Sequence, residues 1–191
     1  MAGRALEEAP RTALDLGAGS GIVGALMAAA GVEVVGIERD AAWAEAWATT
    51  LRSPALRGRL RLVVAEVGSW AEGPYDAVVA NPPWFRDDQG PASPLPRRSG
   101  ARTAEAAMLS RFHDAARRAV APTGCIWFVI PAARRGDLPD ADVCVLIGAR
   151  IALLGWGGPR RGSFAASESD PLVQGWVARA RGGRPASSGR G

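Results

Sequence analysis

The feature that most constrains the fold is a short apolar run that leads directly into a glycine-rich turn. Thr12–Leu16 is followed by Gly17-Ala18-Gly19-Ser20-Gly21 and then by the helix-compatible stretch Ile22–Ala30. Glycine adopts positive φ without strain and lets a ligand approach the backbone, while the helix behind it offers free amide groups at its N-terminus. The order strand, glycine turn, helix predicts the first strand and helix of a parallel α/β sheet, with a ligand-binding site at the turn between them.

The same alternation continues along the chain. Glu33–Ile37 is a second predicted strand, and Ala41–Leu51 has an alanine-rich helical composition with Trp43 and Trp47 one turn apart on one face. An apolar stripe predicts an amphipathic helix over Ala104–Val120. Further strands, each bounded by glycine or proline, are predicted at Leu60–Ala65, Asp76–Ala80 and Cys125–Ile130.

The C-terminal part gives a weaker pattern. Val143–Ile147 and Arg150–Trp156 are both apolar, and the sequence does not distinguish a strand from a helix end in either. Leu172–Ala178 is a candidate final strand, and the Gly/Ser/Arg tail from residue 181 is expected to be disordered. We therefore predict one domain over residues 1–180, with a Rossmann-like, doubly wound, mostly parallel sheet of seven strands and helices on both faces.

The charge of the chain is unevenly distributed. All 23 basic residues are arginine, and residues 86–135 carry a net charge of +5 whereas residues 1–85 carry −3. This asymmetry favours an anionic partner such as nucleic acid, although a solvated arginine face gives the same pattern. No apolar run reaches the length of about 18 residues that a membrane span needs, and the first residues lack the apolar core of a signal peptide, so a cytoplasmic protein is expected.

The cysteines and the histidine of the chain show no metal-binding or disulfide pattern. Cys125 and Cys144 lie in apolar runs without neighbouring ligand residues, so we interpret them as buried thiols and predict neither a disulfide nor a metal site. His113, the only histidine, falls within the predicted helix and is interpreted as a structural or surface residue.

A carboxylate stands on each side of the glycine turn. Gly19–Gly24 fits the G-x-G-x-x-G pattern of dinucleotide sites, and Glu38 ends the second strand, where an acid accepts both hydroxyls of a ribose. Asp15, two residues before the first glycine, would repel a pyrophosphate but suits a ligand with a cationic amino-acid end. We therefore predict binding of S-adenosylmethionine rather than NAD.

A second motif, Asn81-Pro82-Pro83-Trp84, follows the predicted strand Asp76–Ala80. Its prolines restrict the backbone and remove amide donors, so the turn offers acceptors only. The side-chain oxygen of Asn81 and the carbonyl of Pro82 can accept both hydrogens of a planar amino group, while Trp84 stacks on the plane.

Together these motifs resemble the class I S-adenosylmethionine-dependent methyltransferases that act on planar amino groups, whose signature is [Asn/Asp/Ser]-Pro-Pro-[Tyr/Phe/Trp]. The resemblance runs from Thr12 to about Arg135, and within that superfamily the chain looks most like the bacterial tRNA (adenine-N6) methyltransferases. The features that indicate them are Asn81–Phe85, the arginine-bearing loop through Arg97 and Arg98, and the turn Pro122-Thr123-Gly124.

The resemblance implies a role for each matching residue. The cofactor would be held by Asp15, Gly17, Gly19 and Gly21 at its methionine end, by Glu38 at the ribose and by Glu66 at the adenine amino group. Catalysis would rest on Asn81, Pro82 and Trp84. The substrate RNA would also contact Pro83, Phe85, Arg97, Arg98 and Arg102.

Other functions use similar motifs. A protein glutamine or a small-molecule amine is an alternative methyl acceptor, and a non-catalytic S-adenosylmethionine-binding domain is a further alternative. Related enzymes have a longer segment before the first strand, whereas 11 residues precede Thr12 here. With this shorter segment the site is expected to be more open, to need a protein partner or a dimer that covers the N-terminus, or to be catalytically weak.

Overall fold

A computed structural model describes residues 1–56, 58–70, 72–82, 107–147, 150–158 and 162–166, together with residues 171 and 174. The strands in this part of the chain are β1 (Thr12–Leu16), β2 (Glu33–Glu38), β3 (Leu60–Val64), β4 (Tyr75–Ala80), β5 (Val120–Pro131), β6 (Val143–Ile147), β7 (Ile151–Gly157) and β8 (Gly162–Ala166). The α-helices described are α1 (Ala2–Ala5), α2 (Ile22–Ala29), α3 (Ala44–Thr50) and α4 (Met108–Ala119). Short 3₁₀ turns lie at Leu6–Glu8, Ala41–Trp43, Pro54–Leu56, Val67–Ser69 and Ala132–Asp137.

All eight strands form one sheet in the order β3-β2-β1-β4-β5-β7-β6-β8. The first five strands in this order are parallel to one another, β7 is antiparallel to both β5 and β6, and β8 is parallel to β6. The strand order reverses between β1 and β4, which opens a crevice at the carboxyl ends of these two strands. The predicted doubly wound, mostly parallel sheet is confirmed, and its described part contains eight strands where seven were expected.

Side-chain alternation divides the core into two layers, one on each face of the sheet. In β4, Ala77 and Val79 join the cluster that contains Met27 of α2 and Trp47 of α3. The intervening Val78 joins the cluster that contains α4. Because successive side chains of a strand point to opposite faces, helices cover both faces, as predicted.

Helix α4 has the amphipathic pattern that the sequence predicts. Leu109, Phe112 and Ala116 are buried, whereas Arg111 and Arg117 are exposed. Burial of each large apolar side chain contributes about 1.5–3 kcal/mol, so this face fixes α4 against the sheet. The helix starts later than predicted, at Met108.

The structure also differs from the predictions in several places. A 3₁₀ turn precedes α3 inside the predicted helix Ala41–Leu51, because the Asp40 side chain accepts a hydrogen bond from the Ala42 amide and starts the turn there. Both ambiguous C-terminal runs are strands, β6 and β7. The candidate strand Leu172–Ala178, apart from residue 174, and the tail from residue 181 lie outside the described residues.

The two cysteines differ in burial. Cys125 in β5 is buried, as predicted. Cys144 is only partly buried, because it lies on the less covered face of β6 near the edge of the sheet. Within the described ranges, no helix is long and apolar enough to cross a membrane.

Candidate active site

The crevice at the carboxyl ends of the strands brings the predicted site residues to one edge of the sheet. The glycine turn (residues 17–21) follows β1, Glu38 ends β2, Glu66 lies just after β3, and Asn81 follows β4. Because β3, β2, β1 and β4 are adjacent and parallel, these groups follow one another along the same edge.

The glycine turn has the backbone conformation for which the sequence selects glycine. Gly17, Gly19 and Gly21 have φ values of 68°, 50° and 75°, in the left-handed region that disfavours other residues. A Cβ atom built on Gly19 would meet no atom within 4 Å, so open space lies in front of this residue. The turn therefore leaves its backbone accessible to a ligand.

Asp15 lies beneath the turn rather than at its surface. Its side chain is 2% exposed, and its Oδ2 accepts a hydrogen bond of 2.9 Å from the Gly24 amide in the first turn of α2. Burial raises the pKa of Asp15 to about 7; the Gly24 hydrogen bond opposes this shift and the charge of Glu38 adds to it. Within the described ranges, no basic side chain forms an ion pair with the ionised form of Asp15.

Glu38 connects β2 to the glycine turn. Its Oε2 accepts a hydrogen bond of 2.9 Å from the Gly19 amide, and its Oε1 accepts one of the same length from the Asp40 amide. Each carboxylate oxygen has a further lone pair, so the same group can also accept a hydroxyl of a ligand.

Glu66 is exposed at the start of the 3₁₀ turn Val67–Ser69, and its backbone carbonyl accepts the Ser69 amide. Its carboxylate thus extends the row of acids that begins with Asp15 and Glu38. Three acidic side chains near the ends of three adjacent strands favour a ligand with donor groups and a positive charge.

On the other side of the switch point, Asn81 is exposed and Pro82 is buried directly after β4. Pro83, Trp84 and Phe85 fall outside the described residues, as do Arg97, Arg98 and Arg102.

His113 is buried, and its ring packs edge-on against Phe128 and Trp156 at centroid distances of 6.4 and 4.8 Å. The structural interpretation of His113 is therefore confirmed.

Two aromatic residues at the site were not predicted to have a role there. Trp47 of α3 contacts the turn from one face of the sheet, and Phe112 of α4 contacts it from the other, since a Cβ on Gly17 would lie 2.9 Å from the Phe112 ring. The spacing of Trp43 and Trp47 indicated a buried helix face, but the contact with the turn depends on how α3 packs.

Sequence comparison with known proteins finds several relatives. A family model described as methyltransferase small domain matches residues 4–137. The tRNA1(Val) (adenine(37)-N6)-methyltransferase of Shewanella loihica is 31% identical over 135 residues, which are 66% of this chain and 54% of that protein. The ribosomal RNA small subunit methyltransferase C of Chromohalobacter salexigens is 33% identical over 99 residues, 50% of this chain and 29% of that protein.

The same fold occurs among solved structures. A predicted O-methyltransferase, Atu636 from Agrobacterium tumefaciens, matches 92% of both chains with a TM-score of 0.63 and 18% sequence identity, a likeness that concerns the fold alone. The chain spans about half the length of the tRNA-modifying relatives that it matches.

Proposed function

Because the chain belongs to the methyltransferase small domain family, we propose that it is an S-adenosylmethionine-dependent methyltransferase acting on the N6 amino group of an adenine in RNA. The observation that carries this proposal is the position of Asn81-Pro82 after β4, directly across the switch point from the glycine turn after β1. In this proposal, the cofactor site and the acceptor site lie at the ends of adjacent strands.

The residues of the crevice fit S-adenosylmethionine. The open backbone at Gly19 provides a cradle that any side chain at this position would occupy. Glu38 would bind the ribose hydroxyls and Glu66 the adenine amino group, while the buried charge of Asp15 favours the cationic methionine end from beneath the turn. Gly17 and Gly21 complete the turn.

When bound, S-adenosylmethionine would supply a sulfonium methyl group, which the nitrogen would attack in line with S-adenosylhomocysteine as the leaving group. The nitrogen of adenine N6 is a weak nucleophile because its lone pair is delocalised into the ring. The side-chain oxygen of Asn81 and the carbonyl of Pro82 would accept hydrogen bonds from the two N–H groups, which favours a tetrahedral nitrogen and stabilises its developing positive charge. Trp84 would stack on the extruded base, and the surplus proton would leave to water.

The choice of RNA as acceptor rests on charge and on relatives. Residues 86–135, with a net charge of +5, begin shortly after the Asn81 motif, so cationic side chains follow the acceptor site directly. Relatives at about 30% identity are named for modification of tRNA or ribosomal RNA.

A transfer assay with a tritiated methyl group on S-adenosylmethionine tests the proposal. We expect label in total bacterial tRNA and, after digestion, in N6-methyladenosine. Label in protein or in small amines instead would support the glutamine or small-amine reaction. Binding of S-adenosylhomocysteine without transfer to any of these acceptors would support a non-catalytic domain.

Replacement of Arg97, Arg98 and Arg102 by alanine is expected to weaken RNA binding and leave affinity for S-adenosylhomocysteine unchanged. A plot of log affinity against log salt concentration has a negative slope. The magnitude of this slope should decrease by about 1 for each phosphate that the variant no longer binds. Replacement of Arg52 and Arg59, exposed arginines outside the positive segment, serves as the control. An unchanged slope in the triple variant would contradict RNA binding through this segment.

Replacement of Glu38 by alanine is expected to weaken binding of S-adenosylhomocysteine by about 1–3 kcal/mol, because charge-assisted hydrogen bonds to the ribose are removed. Isothermal titration measures this change. Glu33→Ala is the matched control, since Glu33 is an exposed glutamate at the opposite end of the same strand. Equal affinities of the two variants would contradict the role of Glu38.

A further inference from the structure

The glycine turn is held from one side by a buried indole. Trp47 is 1% exposed, and its Nε1–H donates a hydrogen bond of 2.7 Å to the Gly19 carbonyl. Gly19 has positive φ, and its amide is held by the Glu38 carboxylate at 2.9 Å. Hydrogen bonds thus hold both the amide and the carbonyl of Gly19 in the glycine turn.

The ring of Trp47 also fills the space that two glycines leave. A Cβ atom at Gly21 would lie 2.8 Å from the ring, and one at Gly36 in β2 would lie 2.5 Å from it. Gly36 pairs in register with Asp15 of β1. The indole therefore lies between the end of the glycine turn and the strand beside Asp15, and a smaller side chain would leave a void at this point.

We propose that Trp47 is a positioning residue of the cofactor site, which holds the glycine turn in its ligand-accepting conformation through the hydrogen bond to the Gly19 carbonyl and the contact with Gly21 and Gly36. This inference rests on the proposed binding of S-adenosylmethionine. Because Trp47 lies behind the turn, it acts through the backbone of Gly19, whose front remains open to the ligand.

Trp47→Phe removes the hydrogen-bond donor and keeps an aromatic ring in the pocket. We expect affinity for S-adenosylhomocysteine, measured by isothermal titration, to fall about tenfold, since a freed turn must be ordered again on binding. Trp127→Phe is the matched control: Trp127 is equally buried at 1% exposure but lies in β5, two strands beyond β1. Both variants should lose thermal stability, and only Trp47→Phe should lose affinity.

A measurement on the wild-type protein gives an independent test if Trp47→Phe does not fold. By linkage, a ligand that requires the Trp47–Gly19 hydrogen bond must suppress its opening. Saturation with S-adenosylhomocysteine should then slow hydrogen exchange of the Trp47 indole N–H, measured by NMR, about tenfold or more. The Trp156 indole, which donates to the Asp140 carbonyl in another part of the fold, should be unaffected.

The outcomes separate this inference from the proposed function. If wild-type protein binds S-adenosylhomocysteine, and if Trp47→Phe binds equally well or the indole exchange rate stays the same with ligand, the positioning role is wrong and the cofactor site stands. If wild-type protein fails to bind S-adenosylhomocysteine, the proposed function fails, and the role of Trp47 fails with it.

Discussion

Asn81→Ala is expected to reduce methyl transfer by about 100- to 1,000-fold and to leave the fold and the affinity for S-adenosylhomocysteine unchanged. Asn81 is exposed at the end of β4, so its truncation leaves no cavity in the core. In the wild-type protein, the Asn81 oxygen would accept a hydrogen bond from an amino group whose positive charge develops only as the methyl group transfers. The variant would therefore lose an interaction that matters mainly in the transition state. The effect should therefore fall on kcat, measured with tritiated cofactor and saturating RNA.

Asn81→Asp is the control for this prediction. Aspartate keeps an acceptor oxygen of similar size and position and replaces the amide NH2 group with a second, negatively charged oxygen, so partial activity should survive. Equal transfer by wild-type protein and Asn81→Ala would contradict a catalytic role for Asn81. A loss of cofactor affinity in Asn81→Ala would instead place this residue in the cofactor site.

The parallel half of the fold was predictable because local sequence and overall topology agree there. The glycine turn requires a strand before it and a helix after it, and β1, β2 and β4 appear within one residue of their predicted bounds. The C-terminal strands were harder to identify from the sequence. β7 lies between two antiparallel neighbours with both faces covered, so its sequence is apolar throughout and lacks the alternation that identifies a half-exposed strand.

β8 was not predicted, for a related reason. Gly162–Ala166 is a short edge segment rich in small residues, with little of the β-branched and aromatic composition that marks strands. Its position depends on pairing with β6, which is separated from it by β7 in the sequence.

The sequence located the acids of the site but not their bonding partners. Asp15 and Glu38 lie at the carboxyl ends of two predicted parallel strands. Their position at the same end of the sheet was therefore predictable. The hydrogen bond from Trp47 to Gly19 joins residues 28 positions apart, and it depends on the packing of α3 against the sheet. The burial of Asp15 beneath α2 likewise required the three-dimensional structure.

That burial makes Asp15 a source of pH-dependent stability. Its pKa is raised by desolvation to about 7 in the folded chain, against 3.8 as the ordinary value. Between these two pH values the folded state keeps a proton that the unfolded state releases, so the free energy of unfolding decreases as pH rises through this window. The shift corresponds to a loss of about 4 kcal/mol once the pH exceeds the folded value.

Asp15→Asn is therefore expected to stabilise the ligand-free chain above pH 7 by up to about 4 kcal/mol, and to change its stability little near pH 4. Asparagine keeps an oxygen that can accept the Gly24 amide and removes the desolvated charge. The same change should weaken binding of S-adenosylhomocysteine, since the cationic methionine end loses its counter-charge. Activity at this site is thus expected to require an acid that destabilises the ligand-free fold.

Urea unfolding of both proteins between pH 4 and pH 8.5 measures this difference, and comparison at each pH cancels the contribution of His113, whose pKa is lowered by burial. Asp76→Asn is the matched control. The backbone amides of Arg11 and Thr12 hold the pKa of Asp76 below its usual range, so its ionised form stabilises the fold and its replacement should destabilise the chain at pH 7. If Asp15→Asn unfolds with the same pH dependence as wild-type protein, Asp15 does not carry a desolvated charge, and the acid beneath the glycine turn does not destabilise the ligand-free fold.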